Sequence, residues 1–205
     1  MKGLRTTWTS SILLRVVDRH NAIDSARFAP LFKLLLLTGQ RRGEVAGMRW
    51  DEIRDLEAAS PVLEIPGMRT KNHQTHSVPL APEVVAILMA MPRTGPFVFS
   101  TTGETAVSGF RKAKARIDQR IAEQIMTRGT APLPRWALHD LRRTMVTMMN
   151  ERLGTAPHVV EAVVNHITGS AKAGVAGVYN RALYLSERRA ALIAWAEQVL
   201  RLTRR

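Results

Sequence analysis

The chain has 205 residues, of which 45% are hydrophobic, enough to bury the core of one domain and too many for a chain that is disordered throughout. The chain has 30 Lys and Arg against 17 Asp and Glu, which gives a formal net charge of +13. This excess of positive charge favours a nucleic acid partner, although a basic packing protein or a membrane-surface binder would carry a similar excess. The absence of cysteine excludes disulfides, thiolate nucleophiles and cysteine-bound zinc, and no apolar run approaches the roughly 18 residues that cross a bilayer, so we expect a soluble, cytoplasmic protein.

Apolar spacing predicts a mainly helical chain. Helices are expected at 4–20 and at 28–37, where Thr38 and Gly39 end the second one, and a short helix follows at 41–48. Met145, Met148 and Met149 recur at helical spacing and are interpreted as core packing. The remaining predicted helices cover 84–91, 106–125, 139–153, 157–164 and 185–199, the last followed by a basic end at 201–205.

One segment differs from the helical remainder. Residues 62–65 and 76–80 alternate like strands around a polar turn at 69–75, which predicts a small antiparallel sheet with Lys71 at the tip of a hairpin. His73 and His76 are interpreted as exposed turn histidines, with contact to a DNA backbone as the alternative. The predicted fold class is mainly α with a small antiparallel β-sheet (α+β), in a single domain over 1–205.

Two arginines are candidates for holding a phosphate. In the transition state of a phosphodiester exchange, negative charge gathers on the non-bridging oxygens, and guanidinium groups match that charge bidentately. Arg41 follows the helix-ending Thr38 and Gly39, where a side chain can project into a cleft, and Glu44, three residues on, can orient it. Arg142 is the second candidate, and its replacement by Ala is expected to leave the fold largely stable, because a cleft arginine contributes little to packing. A solvated surface charge is the alternative for each arginine.

Histidine and lysine side chains are candidates for proton transfer. His139 precedes Arg142 by three residues, so both are expected on one helix face, and the histidine is a candidate general base or proton shuttle. The alternative, a metal-binding pair of His139 and Asp140, would need further His and Asp ligands, and the sequence offers no matching set. His166 could donate a hydrogen bond to the phosphate or be a satisfied structural histidine. Lys71 could supply the proton that the departing sugar oxygen needs.

Tyr179 and Tyr184 are the candidate nucleophiles, because the chain has two tyrosines. A phenol has a pKa of about 10, so it attacks at neutral pH only with cations and a proton acceptor nearby. Tyr179 follows a run of small residues at 173–178 that can be placed against a cleft. Tyr184 begins the last predicted helix and suits packing. Tyr179 is therefore the favoured nucleophile.

The order, type and spacing of these residues resemble the tyrosine recombinase (phage integrase) family over about 28–195. Residues 38–44 (Thr-Gly-Gln-Arg-Arg-Gly-Glu) look like its first-arginine box, and residues 138–144 (Leu-His-Asp-Leu-Arg-Arg-Thr) look like its His-x-x-Arg box. Residues 164–166 read Val-Asn-His where many members have Leu-Gly-His. This asparagine, and the step of 13 residues from His166 to Tyr179, resemble the branch of P4-like phages and genomic islands.

The resemblance implies a site-specific recombinase in which Tyr179 attacks a DNA phosphodiester, leaving a 3′-phosphotyrosyl link and a free 5′-hydroxyl without a metal or nucleotide cofactor. It implies a homotetramer on double-stranded DNA attachment sites, a monomer when free, and no membrane partner. The catalytic residues that it implies are Arg41, Lys71, His139, Arg142, His166 and Tyr179, with Glu44 supporting the first. Further DNA contacts are expected from Arg42, His73, Arg111, Lys112, Lys114 and Arg143.

Because the first-arginine box arrives by residue 38, an amino-terminal core-binding domain is expected to be absent, which predicts weak and poorly specific DNA binding. Two kinds of alternative function remain at this point. A type IB topoisomerase or telomere-resolving enzyme uses the same chemistry on a related fold. A DNA-binding module of the same fold without turnover is the non-enzymatic alternative, although binding alone would not need the tyrosine.

Overall fold

The computed structural model describes residues 25–129, 132, 134–166 and 184–204. Within these ranges the chain is mostly helical with one small antiparallel sheet, which confirms the predicted fold class. The helix expected at 4–20 lies outside the described residues. In chain order the elements are α1 Ser25–Thr38, α2 Arg42–Ala46, β1 Ile53–Arg54, β2 Val62–Ile65, β3 His76–Pro79, α3 Pro82–Met89, α4 Phe110–Arg128, α5 His139–Glu151, α6 Pro157–Val163 and α7 Leu185–Arg204, with 3₁₀ turns at Trp50–Glu52 and Gly67–Arg69.

The sheet is a meander in which β2 pairs antiparallel with β1 on one side and with β3 on the other. Leu63 lies opposite Val78, and Ile65 lies opposite His76, so all four side chains share the buried face of the sheet. The hairpin predicted from alternation is confirmed. Strand β1 has two residues, too few for a periodic pattern, and was not separately predicted.

Helices α1, α5 and α7 contribute much of the core. Six leucine or phenylalanine side chains of α1, at positions 31, 32 and 34–37, are at most 4% exposed. The three methionines of α5 are at most 2% exposed, which confirms their predicted role in packing. Trp195 of α7 is fully buried, and its indole Nε1 donates a hydrogen bond of 2.8 Å to the carbonyl oxygen of Leu36. The core therefore anchors the carboxyl end of α1, from which the candidate site begins.

The two longest helices differ from their predicted bounds. Helix α4 begins at Phe110 rather than 106, because Gly109 has φ +90° and Ala106 pairs with Ser100 in an isolated bridge. It also continues to Arg128, where Gly129 ends it in the left-handed conformation. Helix α7 extends to Arg204, so Arg201 and Arg204, which were expected to follow the helix, lie in its last turn.

Gly39 determines how the chain leaves α1. Its φ is +64°, and a Cβ built on it would lie 2.4 Å from the Sδ of Met145 on α5. A side chain at this position would thus meet both an unfavourable backbone conformation and a buried atom. Glycine therefore lets α1 and α5 approach closely and lets the chain leave α1 in the left-handed conformation.

Candidate active site

Arg41 and Glu44 form a closed pair at the start of α2. The backbone N–H of Arg41 donates to Glu44 Oε2 at 2.8 Å, and its guanidinium Nη1 donates to Glu44 Oε1, also at 2.8 Å. The Glu44 side chain is 2% exposed, whereas that of Arg41 is 26% exposed. The carboxylate therefore holds both the main chain and the side chain of Arg41, and the predicted contact between the two residues is confirmed.

Arg69, in the turn after β2, supports the pair of Arg41 and Glu44. The sequence analysis did not predict this role for Arg69. Its guanidinium forms an ion pair with Glu52 and donates to the carbonyl oxygen of Glu44. It also lies against Gly47, where a Cβ would come 3.3 Å from Nη2. An isolated arginine in a turn carries no pattern that predicts such contacts, since its partners lie 17 and 25 residues away.

Arg142 is buried and joins two distant segments of the chain. Its Nη1 donates to the carbonyl oxygen of Gly39 at 2.8 Å, and its Nη2 donates to the carbonyl oxygen of Val164. Burial, followed by repulsion from Arg41, lowers the pKa of Arg142 to about 10, while the carboxylates of Glu44 and Glu161 oppose that shift. The side chain is therefore charged at neutral pH. Its hydrogen bonds to two main-chain segments do not fit the expectation that it contributes little to packing.

His166 is placed by the way in which α6 ends. Helix α6 stops at Val163, and Asn165 has φ +50°, the left-handed conformation that ends many helices. The N–H of His166 donates to the Glu161 carbonyl at 2.9 Å and that of Asn165 to the Ala162 carbonyl at 3.3 Å, the hydrogen bonds of a Schellman motif. The exposed ring of His166 also meets the Glu161 carboxylate through Nδ1. Asparagine is among the few residues that adopt this conformation readily, which accounts for an asparagine at position 165.

His76 is buried on β3, so its interpretation as an exposed turn histidine is wrong. It alternates with Val78 and Leu80, a period-2 signal that could have placed it on the buried face. Its Nε2 lies 3.1 Å from the carbonyl oxygen of Val163, and because a carbonyl only accepts, Nε2 must donate. Burial lowers the pKa of His76 to about 3, helped by the positive charges of Arg188, Arg142 and Arg41 and opposed by the hydrogen bond.

The carboxyl end of α6 therefore receives donors from several parts of the chain. Gln40 Nε2 also donates to the Val163 carbonyl, at 2.9 Å, beside the donation from His76. Arg142 donates to the next carbonyl, that of Val164. A helix carboxyl end carries partial negative charge and unpaired carbonyl groups, so a neutral donor pair and a cation stabilise it.

Lys71 lies at the tip of the β2–β3 connection, as predicted, and its side chain is exposed. The next residue, Asn72, makes a reciprocal amide pair with Asn165. Asn72 Nδ2 donates to Asn165 Oδ1 at 2.8 Å, and Asn165 Nδ2 donates to Asn72 Oδ1 at 3.3 Å. The structure thereby brings the Lys71 connection and the segment that carries His166 together, although 93 residues separate the two asparagines.

His139 and Arg142 differ in environment although both lie on α5. His139 is the first residue of the helix and is exposed, whereas Arg142, one turn later, is 8% exposed. Arg142 makes hydrogen bonds with the segments of Gly39 and Val164. Of these two side chains, the structure therefore brings Arg142 into direct contact with the other candidate segments and leaves His139 at the surface.

The residues expected to contact DNA are mostly exposed cations. Five of the six side chains are exposed, namely those of Arg42, His73, Arg111, Lys112 and Arg143. The Arg42 guanidinium stacks 5.2 Å over the ring of Phe110, which connects α2 to the start of α4. Lys114 differs from the expectation of an exposed cation.

Lys114 is half-buried, and its ammonium is engaged on two sides. Its Nζ lies 2.6 Å from Asp118 Oδ2 and 4.3 Å from the centre of the Trp136 ring. Both contacts are with the domain itself. Lys114 is therefore less available to an external phosphate than its exposed neighbours Arg111 and Lys112.

Tyr179, the candidate nucleophile, lies outside the described residues. Tyr184 precedes α7, and its ring centre lies 4.8 Å from that of His158 on α6, a packing contact of the kind expected for it. In the ranges that the structure describes, no group of three or more His, Cys, Asp or Glu side chains could hold a metal ion. Among the same residues, no helix is long and apolar enough to cross a membrane.

Comparison with known proteins gives concordant matches to one family. The model of the phage integrase family matches residues 11–181. The chain is 34% identical over 172 residues to prophage integrase IntA of Escherichia coli strain K12, and 29% identical over 179 residues to prophage integrase IntZ of the same strain. These matches cover 82% and 85% of the chain but 38% and 40% of the two relatives. The chain thus spans about two fifths of the length of the curated relatives that it matches.

A solved structure has the same fold. XerH site-specific recombinase, bound to difH substrate in a pre-cleavage complex, aligns with a TM-score of 0.55 and 19% sequence identity. The alignment covers 78% of this chain and 46% of the XerH chain. At this identity the likeness concerns the fold.

Proposed function

Because the chain belongs to the phage integrase family, we propose that it is the DNA-breaking and rejoining catalytic domain of a site-specific recombinase. One observation carries the proposal from family to mechanism. The guanidinium of Arg142 bonds the main chain at Gly39 and at Val164, so the segments that carry Arg41, Arg142 and His166 meet around one buried cation. A cation fixed in this way suits a reaction that develops negative charge on a phosphate.

In the proposed reaction the phenolic oxygen of Tyr179 attacks a DNA phosphorus. An oxygen–phosphorus bond forms to the tyrosine, the bond to the 5′ oxygen breaks, and the phenolic proton must be accepted while the departing oxygen gains one. The ester that forms keeps the energy of the broken bond, so neither a nucleotide nor a metal is required. Attack by the 5′-hydroxyl of a second strand then completes strand exchange and releases the tyrosine.

The other residues take roles that follow from their chemistry. Arg41 and Arg142 stabilise the charge on the non-bridging oxygens, and Glu44 positions Arg41. His139 accepts or relays the phenolic proton, and its exposed position at the start of α5 leaves it open to a bound strand. Lys71 gives a proton to the departing 5′ oxygen. His166 donates a hydrogen bond to the phosphate and completes the site.

The proposed partner is double-stranded DNA at attachment sites. The net charge of +13 supports binding to a polyanion, and exposed Arg42, Arg111, Lys112 and Arg143 are proposed phosphate contacts, with Lys114 and His73 as weaker candidates. We propose that four copies assemble on paired DNA sites and that the free protein is a monomer in the cytoplasm. Exchange of strands between two duplexes requires four cleavages, which supports four active sites.

The experiment that tests this proposal is trapping of the covalent intermediate. Duplexes from candidate attachment sites that flank the source gene carry a nick beside the cleavage position, so that the released fragment diffuses away and the protein stays attached. Full-length wild type and the variants Tyr179→Phe and Tyr184→Phe are incubated with excess metal chelator. The products are then separated under denaturing conditions.

We expect a DNA adduct with wild type and with Tyr184→Phe, and none with Tyr179→Phe. An adduct that persists in Tyr179→Phe would refute the assignment of the nucleophile. Relaxation of supercoiled DNA without exchange between two marked sites would instead favour a topoisomerase. The absence of any adduct on every site would favour a binding module.

A further inference from the structure

We propose that the amide pair of Asn72 and Asn165 is a positioning device that holds Lys71 in register with the phosphate-binding side of the site. The inference rests on the proposed function and deepens it by naming two residues that act through another. Both asparagines are half-buried, and each amide donates to the oxygen of the other, at 2.8 and 3.3 Å. A reciprocal pair fixes the relative orientation of the two side chains as well as their distance.

Position 165 has to satisfy two requirements at once. Its φ of +50° at the end of α6 favours glycine or asparagine. Of these two, asparagine alone carries an amide that can reach the β2–β3 connection. The residue therefore ends the helix, directs the chain to His166 and supplies a docking point for a segment 93 positions away.

Position 72 lies in a connection that is ordered by its own hydrogen bonds. The Thr70 hydroxyl donates to the carbonyl of Gln74 at 2.8 Å, and the N–H of Gln74 donates to Asn72 Oδ1 at 3.3 Å. Lys71 lies between these bonded residues, and its own side chain is exposed. The main chain at 71 thus moves with Asn72, and the amide pair ties Asn72 to the end of α6.

The same end of α6 is tied to Arg142 through the carbonyl of Val164. The amide pair consequently connects the proposed proton donor to the proposed phosphate clamp through one residue of main chain. Proton transfer to a departing oxygen depends steeply on the position of the donor, and a misplacement of about 1 Å can cost about a hundred-fold in rate. Loss of the pair should therefore affect the proton transfer of Lys71 more than the binding of the phosphate.

The test compares two leaving groups in the same nicked duplex with the full-length protein. One duplex has the ordinary 5′ bridging oxygen, and the other has sulfur at that atom, which leaves as a thiolate and needs no proton. The variants are Asn165→Gly, which keeps the backbone conformation favourable, Asn72→Ala, and the combination of the two. Lys71→Ala is the reference for loss of the proton donor, and Gln74→Ala removes an exposed amide from the same connection as a matched control.

We expect both asparagine variants to slow adduct formation about ten- to hundred-fold on the oxygen duplex and to stay within about three-fold of wild type on the sulfur duplex. The combined variant should be no slower than either single variant, because the two amides act as one unit. Gln74→Ala should match wild type on both. Equal slowing on both duplexes, or no slowing on either, would overturn the inference.

A second measurement keeps the inference testable without any activity. Hydrogen exchange of the backbone amides of 71–75 is measured in the free protein. Asn165→Gly should raise their exchange about ten-fold over wild type and over Gln74→Ala, since the connection loses its tie to α6. Unchanged exchange would overturn the inference. If wild type forms no adduct on either duplex, the proposed function fails, and the exchange result still decides whether the amide pair holds the connection.

Discussion

Arg142→Ala should destabilise the protein strongly, contrary to what a surface arginine would do. The substitution leaves the carbonyl oxygens of Gly39 and Val164 without their charged donor in a buried site. Hydrogen bonds to charged groups contribute about 1.5–3 kcal/mol each, so the two together are worth roughly 3–6 kcal/mol. Removal of a buried cation offsets part of this loss, because burial disfavours the charged form and lowers its pKa to about 10. We expect the free energy of unfolding to fall by about 2–4 kcal/mol.

Urea unfolding of the full chain, followed by tryptophan fluorescence to which the buried Trp195 contributes, measures this change. Arg152→Ala removes an exposed arginine just after α5 and should change the free energy of unfolding by less than about 0.5 kcal/mol. Arg142→Lys keeps the charge but lacks the planar fork that reaches two carbonyls, so it should lie between Arg142→Ala and wild type. If Arg142→Ala unfolded within about 0.5 kcal/mol of the Arg152→Ala control, the structural role assigned here to Arg142 would be refuted.

Three further substitutions test other parts of the site. Gly39→Ala should lower the free energy of unfolding, measured by urea titration, by more than about 2 kcal/mol. Gly43→Ala is the control, because its Cβ would meet nothing within 4 Å, and it should leave that free energy unchanged or slightly raised. Equal effects of the two substitutions would contradict the packing argument. The pKa of His76 is lowered to about 3, so its contribution to the free energy of unfolding is complete above about pH 6.5 and declines as the pH falls. Relative to His76→Gln, the decline should reach about 1.4 kcal/mol per pH unit. Parallel profiles of stability against pH for the two proteins would exclude this linkage. Glu44→Gln should slow single-turnover adduct formation about ten-fold, because the guanidinium of Arg41 is then held less firmly. A rate equal to that of wild type would show that the Glu44 carboxylate has no role in the reaction.

Local patterns in the sequence sufficed to predict much of the fold and one contact in the site. The helical spacing of the α5 methionines, the alternation of β2 and the glycine after Thr38 each depend on near neighbours in the chain, and the structure confirms all three. The contact between Arg41 and Glu44 belongs to the same class, because residues three apart meet within one helical turn. The predicted start of α4 was wrong because Gly109 has a left-handed conformation and Ala106 pairs with Ser100, and neither feature shows in the helical spacing.

The sequence by itself therefore determined most of the elements, the order of the motif residues and the family, since these depend on residue type and spacing along the chain. Only the tertiary structure decided which polar groups are buried and what they contact. Arg142 meets Gly39 across 103 positions, Asn72 meets Asn165 across 93, and His76 meets Val163 across 87. The physical reason is that a buried polar side chain requires partners, and its partners here are main-chain carbonyls and an amide that other elements bring to it. Main-chain carbonyls are present in every residue, so the sequence does not show which of them a buried side chain meets.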